Sequence, residues 1–144
     1  MPESRATELP ELLYRDLSIG MRFRPLEFVA SPELVERYVA IVGDQNPLYG
    51  RGAEEGAVVP PGLWGVWGRQ AYLQDHAMPA GGVLAGEELV FVEPLRVGQK
   101  LTVRAEVTDL YVRKGRLRVD LEMTATDEDG RRCGIVRINA IWPS

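Results

Sequence analysis

The chain has 144 residues, 45% hydrophobic and 26% charged, which are the proportions of a soluble one-domain protein long enough to bury a core. A formal net charge of -4 argues against a general nucleic-acid binder, which would present a basic surface. No apolar run approaches the roughly 20 residues needed to cross a bilayer, so a membrane is not expected as a partner either. Cys133 is the only cysteine and His76 the only histidine, so an internal disulfide is excluded and a zinc site would need mainly carboxylate ligands. No glycine-rich phosphate loop is present. Chemistry without metal or cofactor is expected, in a cytoplasmic protein, because Met1 to Pro10 contains no apolar signal core.

Residues 1–11 read as a flexible leader and 12–143 as a single domain. Ile19 to Ala30 alternates loosely and is interrupted by Pro25, which predicts a first strand near a sheet edge. Ser31-Pro32 supplies an N-cap followed by proline at the first helical position, and Leu34, Val35, Tyr38, Val39 and Val42 recur at helical spacing up to Gly43. Asp44 to Pro60 is loop-like, broken by Asn46-Pro47, Gly50, Gly52 and Gly56.

Pro60-Pro61-Gly62 opens a second helix, predicted over about Leu63 to Asp75. It is apolar or aromatic round most of its circumference (Leu63, Trp64, Val66, Trp67, Ala71, Tyr72), which predicts burial on all sides. Gly65 and Gly68 each cost about 1 kcal/mol relative to alanine in a helix. They make sense if a strand or another backbone presses close; a loop-broken segment is the alternative.

The second half reads as strand. Glu88 to Glu93 alternates up to Pro94. Leu101, Val103, Ala105 and Val107 share one face, and Leu117, Val119, Leu121, Met123 and Ala125 repeat the pattern. Asp129-Gly130 then turns the chain into a last strand with Val136, Ile138, Ala140 and Trp142 inward. The expected class is α+β: a curved antiparallel sheet wrapped round a central apolar helix.

Val42-Gly43-Asp44-Gln45-Asn46-Pro47-Leu48-Tyr49 resembles the Gly-Asp-x-Asn-Pro-Leu-His signature of MaoC-like (R)-specific enoyl-CoA hydratases and 3-hydroxyacyl-thioester dehydratases. Val58-Val59-Pro60-Pro61-Gly62 stands where that family enters its central helix, and Glu93 to Leu101 resembles its later strand connection. These landmarks keep their order over about 120 residues. The resemblance implies a hot-dog fold, dimeric assembly, and reversible hydration of a trans-2-enoyl thioester carried on CoA or acyl carrier protein, in fatty acid metabolism.

By position, the resemblance assigns Asp44 as the base for water, the Gly62 amide to the thioester oxygen, and Asn46 to holding the loop. Pro61 and Trp64 fall beside the acyl group. The chain departs from the family at Tyr49, which replaces the catalytic histidine. An unperturbed tyrosine has a pKa near 10, so only about one in a thousand is phenolate at neutral pH. The same motifs are most similar to the N-terminal, non-catalytic hot dogs of two-hot-dog dehydratases. That gives two readings: a hydratase working through Asp44 with Tyr49 as orienter or acid, or an incomplete acyl-binding subunit. The first would act as a homodimer. The second would act as a heterodimer with a second hot-dog chain that carries the Asp/His pair.

Plainer roles compete at single residues. Asp44 fits an Asx turn with Asn46-Pro47, and Tyr49 an ordinary buried aromatic. Trp64, Trp67 and Tyr72 fit core or tunnel wall, His76 a solvated loop, and Cys133 a small packing residue. Arg113 to Arg116 fits a solvated hairpin tip. Hot-dog thioesterases typically carry an acid on the central helix, and none lies between Leu63 and Gln74.

Overall fold

The computed structural model describes residues 8–46, 49 and 57–144. Its elements run β1 (Leu26–Val29), α1 (Pro32–Val42), α2 (Leu63–Tyr72), β2 (Val83–Phe91), β3 (Lys100–Arg113), β4 (Arg116–Thr126) and β5 (Arg132–Trp142). The strands form one sheet in the order β1-β3-β4-β5-β2, and every neighbouring pair is antiparallel.

Local chemistry accounts for the long strands. β3 and β4 are joined by the two residues Lys114 and Gly115, both at positive φ, the left-handed pair that matches the twist of a tight hairpin. Between β4 and β5 the Asp127 carboxylate accepts from the amides of Asp129 (3.0 Å) and Arg131 (2.9 Å), and Gly130 takes a positive φ. Register then follows the alternation: Val103, Ala105 and Val107 stand beside or next to Ala125, Met123 and Leu121, all buried. The opposite face is polar. There Arg137 bridges Glu88 (3.0 Å) and Glu122 (3.1 Å), and the Asn139 amide donates to Tyr111 and Asp120.

Helix α1 has the expected limits. Ser31 Oγ accepts from the Leu34 amide at 3.2 Å, and Gly43 closes the helix at φ 70°. Helix α2 packs against the apolar face of the sheet, where Gly68 makes a close approach possible: a Cβ there would sit 2.9 Å from Val136 Cγ1. From the other side of the contact, a Cβ on Gly134 would meet the Trp64 ring at 3.2 Å. The glycine in the helix and the one in β5 let the layers interlock, which offsets their low propensities.

Several expectations need correction. The first strand shrinks to Leu26–Val29, because Pro25 interrupts the ladder and only an isolated Arg22–Glu106 bridge precedes it. β2 starts at Val83, five residues before the alternating stretch; its pairing with β5 draws in the weakly patterned Val83 to Gly86 across a register shift. Helix α2 stops at Tyr72 rather than Asp75. Gln74 Nε2 donates to the Arg24 carbonyl (2.6 Å) and Asp75 pairs with Arg24 (2.9 Å), so tertiary bonds capture residues that would otherwise have formed the last turn.

Nor is α2 buried on all sides: Val66, Arg69 and Gln70 face outward. His76 is not simply solvated, since its Nδ1 is buried without a hydrogen-bond partner. Nearby, Pro10 and Leu12 exchange backbone hydrogen bonds with Ala77, and the Trp142 indole donates to the Leu12 carbonyl at 2.8 Å. Cys133 is buried and free, packed as expected; burial, the largest cause, pushes its thiol pKa up.

Candidate active site

The tip of α2 is built by three consecutive residues with different capacities to donate. Pro60 and Pro61 have no N–H, so Gly62 carries the first amide of the helix entrance. The next three amides are used: Leu63 donates to Pro60 (3.2 Å), Trp64 to Pro61 (3.1 Å) and Gly65 to Gly62 (3.3 Å). The Gly62 amide donates to no acceptor among the described residues, and Gly62 is exposed. One free donor therefore stands at the positive end of the helix dipole, an arrangement suited to an oxygen that gains negative charge.

Helix α1 brings its C-terminal half to this tip. A Cβ on Gly62 would overlap the Tyr38 hydroxyl and lie 3.1 Å from Tyr38 Cζ. Asp44 follows directly on the left-handed Gly43, with its amide bonded to the Val39 carbonyl at 3.3 Å. Asp44 Oδ1 accepts from the Asn46 amide at 2.9 Å, the Asx turn weighed as a plain role. The turn occupies one carboxylate oxygen and leaves Oδ2 with no partner among the described residues. Tyr49, half-buried, continues the turn through its amide to the Asn46 carbonyl at 2.9 Å. Pro47, Leu48, Gly50, Gly52 and Gly56 lie outside the described residues.

Pro61 is exposed beside Gly62, whereas Trp64 is only 4% exposed, with its ring edge-on to Trp67 and Phe91. Behind the tip, the outward stripe of α2 lines a groove of about 590 Å³. It is lined by Leu26 of β1 and by Gly65, Val66, Arg69, Gln70, Leu73 and Gln74. On the other flank a Cβ on Gly65 would stand 2.9 Å from Glu87 Oε1, so a carboxylate of β2 rests on the helix one turn from Gly62. Below it, burial raises the Tyr72 pKa; Arg69 pulls the other way, and Glu87 reinforces the rise.

The matching family description is "FAS1-like, dehydratase domain region", and it covers residues 18–134. The chain belongs to that dehydratase family. It is 26% identical over 126 residues to a 3-hydroxybutyryl-CoA dehydratase of Methylorubrum extorquens, covering 84% of this chain and 80% of the relative. Among solved structures, the R-hydratase of Pseudomonas aeruginosa superposes with a TM-score of 0.75 at 19% identity, over 93% of this chain and 87% of that one. The HadBC (3R)-hydroxyacyl-ACP dehydratase complex of Mycobacterium tuberculosis gives 0.74 at 20% identity, over 85% and 96%. The MaoC-like dehydratase of Rhodospirillum rubrum gives 0.71 at 18% identity, over 92% and 98%. The fold of this FAS1-like dehydratase family member is thus the hot dog, with α2 as its central helix. Sequence reasoning missed two residues at the helix tip. Tyr38 read only as part of an apolar helix face, and Glu87 preceded the recognised strand pattern; neither spacing carries a signal for contact with α2.

Proposed function

We propose that this protein acts on trans-2-enoyl thioesters, adding water reversibly across the double bond. The observation that carries this reading is the unused Gly62 amide at an exposed helix tip, with Tyr38 of α1, the helix that leads into Asp44, packed against it. In hydration, the thioester oxygen rests on Gly62. The oxygen of water bonds to the β-carbon, its proton passes to Asp44, and the double-bond electrons move to the α-carbon and thioester oxygen as an enolate. Asp44 then gives that proton to the α-carbon, directly or through a water, which completes the product and restores the carboxylate; dehydration is the reverse. Asn46 fixes the turn that aims Asp44, Tyr49 orients the water or donates to it, and Pro61 with the Trp64 wall shapes the place of the acyl group.

Assembly as a pair of hot-dog chains belongs to the same proposal. β2 is an edge strand of nine residues with Leu84 58% exposed and Val83 and Phe91 nearly as open, an edge that soluble proteins normally cover. No helix among the described residues is long and apolar enough to cross a membrane. The Tyr49 substitution favours a second reading, in which the covering chain is a different hot dog that contributes a histidine. Likeness in fold to the HadBC complex supports that reading.

An enoyl-CoA hydration assay separates the two. If the chain is sufficient, purified protein hydrates crotonyl-CoA and Asp44→Asn lowers kcat at least about 100-fold, the lower end of the range for a lost general base. If it is a subunit, turnover appears only after mixing with a partner hot dog. Full turnover by Asp44→Asn removes the assigned base. Absence of turnover alone and with every partner tested removes the function.

A further inference from the structure

The tip of α2 holds more than one unused donor. Tyr38 is half-buried, yet its hydroxyl has no hydrogen-bond partner among the described residues, and it fills the place a Gly62 side chain would take. A Cβ lies about 2.5 Å from its own amide nitrogen by standard geometry, so the phenol oxygen stands within roughly 4.5 Å of the Gly62 nitrogen. A sheltered phenol O–H normally finds a partner, and so does a helix-tip amide. Here the two unspent donors stand side by side.

We propose that Tyr38 is a catalytic residue, the second donor to the oxygen of the acyl thioester. This rests on the reading of Gly62 as the thioester-binding amide and adds a side chain to it. One carbonyl oxygen has two lone pairs and accepts two hydrogen bonds; the amide supplies one and the phenol the other. Tyr38 transfers no proton. Its O–H shortens its bond to the oxygen as charge arrives from the new bond at the β-carbon, and relaxes when the α-carbon is protonated. The donor is pre-positioned, because α1 is capped at Ser31 and Gly43 and anchored by the fully buried Val35 one turn before Tyr38. The placement also explains the glycine: any side chain at residue 62 would displace the phenol.

A stable 3-oxoacyl thioester tests this without turnover. Acetoacetyl-CoA loses its C2 proton to buffer to give an enolate with a distinct near-ultraviolet band, and donors at the thioester oxygen favour that form. The chain, with its partner hot dog if one is required, should bind acetoacetyl-CoA with an enhanced enolate band. Tyr38→Phe should lower the bound enolate-to-keto ratio roughly 100-fold, as expected for a lost oxyanion donor. Binding of butyryl-CoA, which forms no enolate under these conditions, should change far less. Replacing Tyr38 by 3-fluorotyrosine keeps the shape, acidifies the phenol and should raise the ratio. An unaltered ratio in Tyr38→Phe overturns the role of Tyr38 and leaves Gly62 standing. If Tyr38→Phe does not fold, an unaltered ratio in the fluorotyrosine protein overturns it equally. Failure of the unmodified protein to bind any acyl-CoA sinks both this proposal and the reading beneath it.

Discussion

The two sides of α2 differ in what they ask of the sequence. The inner side, Leu63, Trp64, Trp67, Gly68, Ala71 and Tyr72, is buried and interlocks with the sheet; the Trp67 ring lies 4.2 Å from that of Phe28, centre to centre. The outer side, Gly62, Val66, Arg69 and Gln70, is open and runs back from the free amide along a groove. One helix thus packs the core with one face and leaves the other open to a groove. The lesson is that an apolar side chain on this helix does not by itself report burial, since Val66 is 46% exposed one residue from Trp67 at 3%.

Breaking the inner face should have the largest consequence. Trp67→Ala removes a buried aromatic that the rigid sheet cannot replace, and should cost about 3–5 kcal/mol in urea unfolding, enough to endanger the fold. A smaller effect is expected at Tyr72, where the two sides meet. Burial raises its folded-state pKa, so the folded protein holds the phenolic proton to higher pH than the unfolded chain does. Stability from this source is complete below the ordinary tyrosine range near pH 10 and falls as pH rises through the raised value. Unfolding curves from pH 9 upward should therefore be flatter for Tyr72→Phe than for the unmodified protein. The least effect on stability belongs to the outer face: Val66→Lys should stay within about 0.5 kcal/mol. The same change should weaken acyl-CoA binding or chain pairing, read by calorimetry and sedimentation. Loss of several kcal/mol with Val66→Lys would erase the distinction between the faces.

Much of the framework was legible because it is written in short-range chemistry. Ser31-Pro32 and Gly43 fix both ends of α1 within one turn of backbone, and the two-residue periods of β3, β4 and β5 set which side chains face the core. Asp44 was legible as a turn residue, and the observed Asx turn leaves its other carboxylate oxygen with no partner among the described residues. β2 was only half legible, because Val83 to Gly86 lacks alternation and becomes strand by pairing with β5.

The amino-acid order by itself determined the caps, the turns, the inward faces of the long strands and the donor pattern of Pro60-Pro61-Gly62, all of which depend on neighbours a few bonds away. Only the tertiary structure decided which side of α2 stays open, where that helix ends, and that Tyr38 and Glu87 come to rest on its first turns. Those contacts join residues about 20 positions apart, and no local preference encodes such distances: they exist because the sheet and α1 close round the helix from different sides.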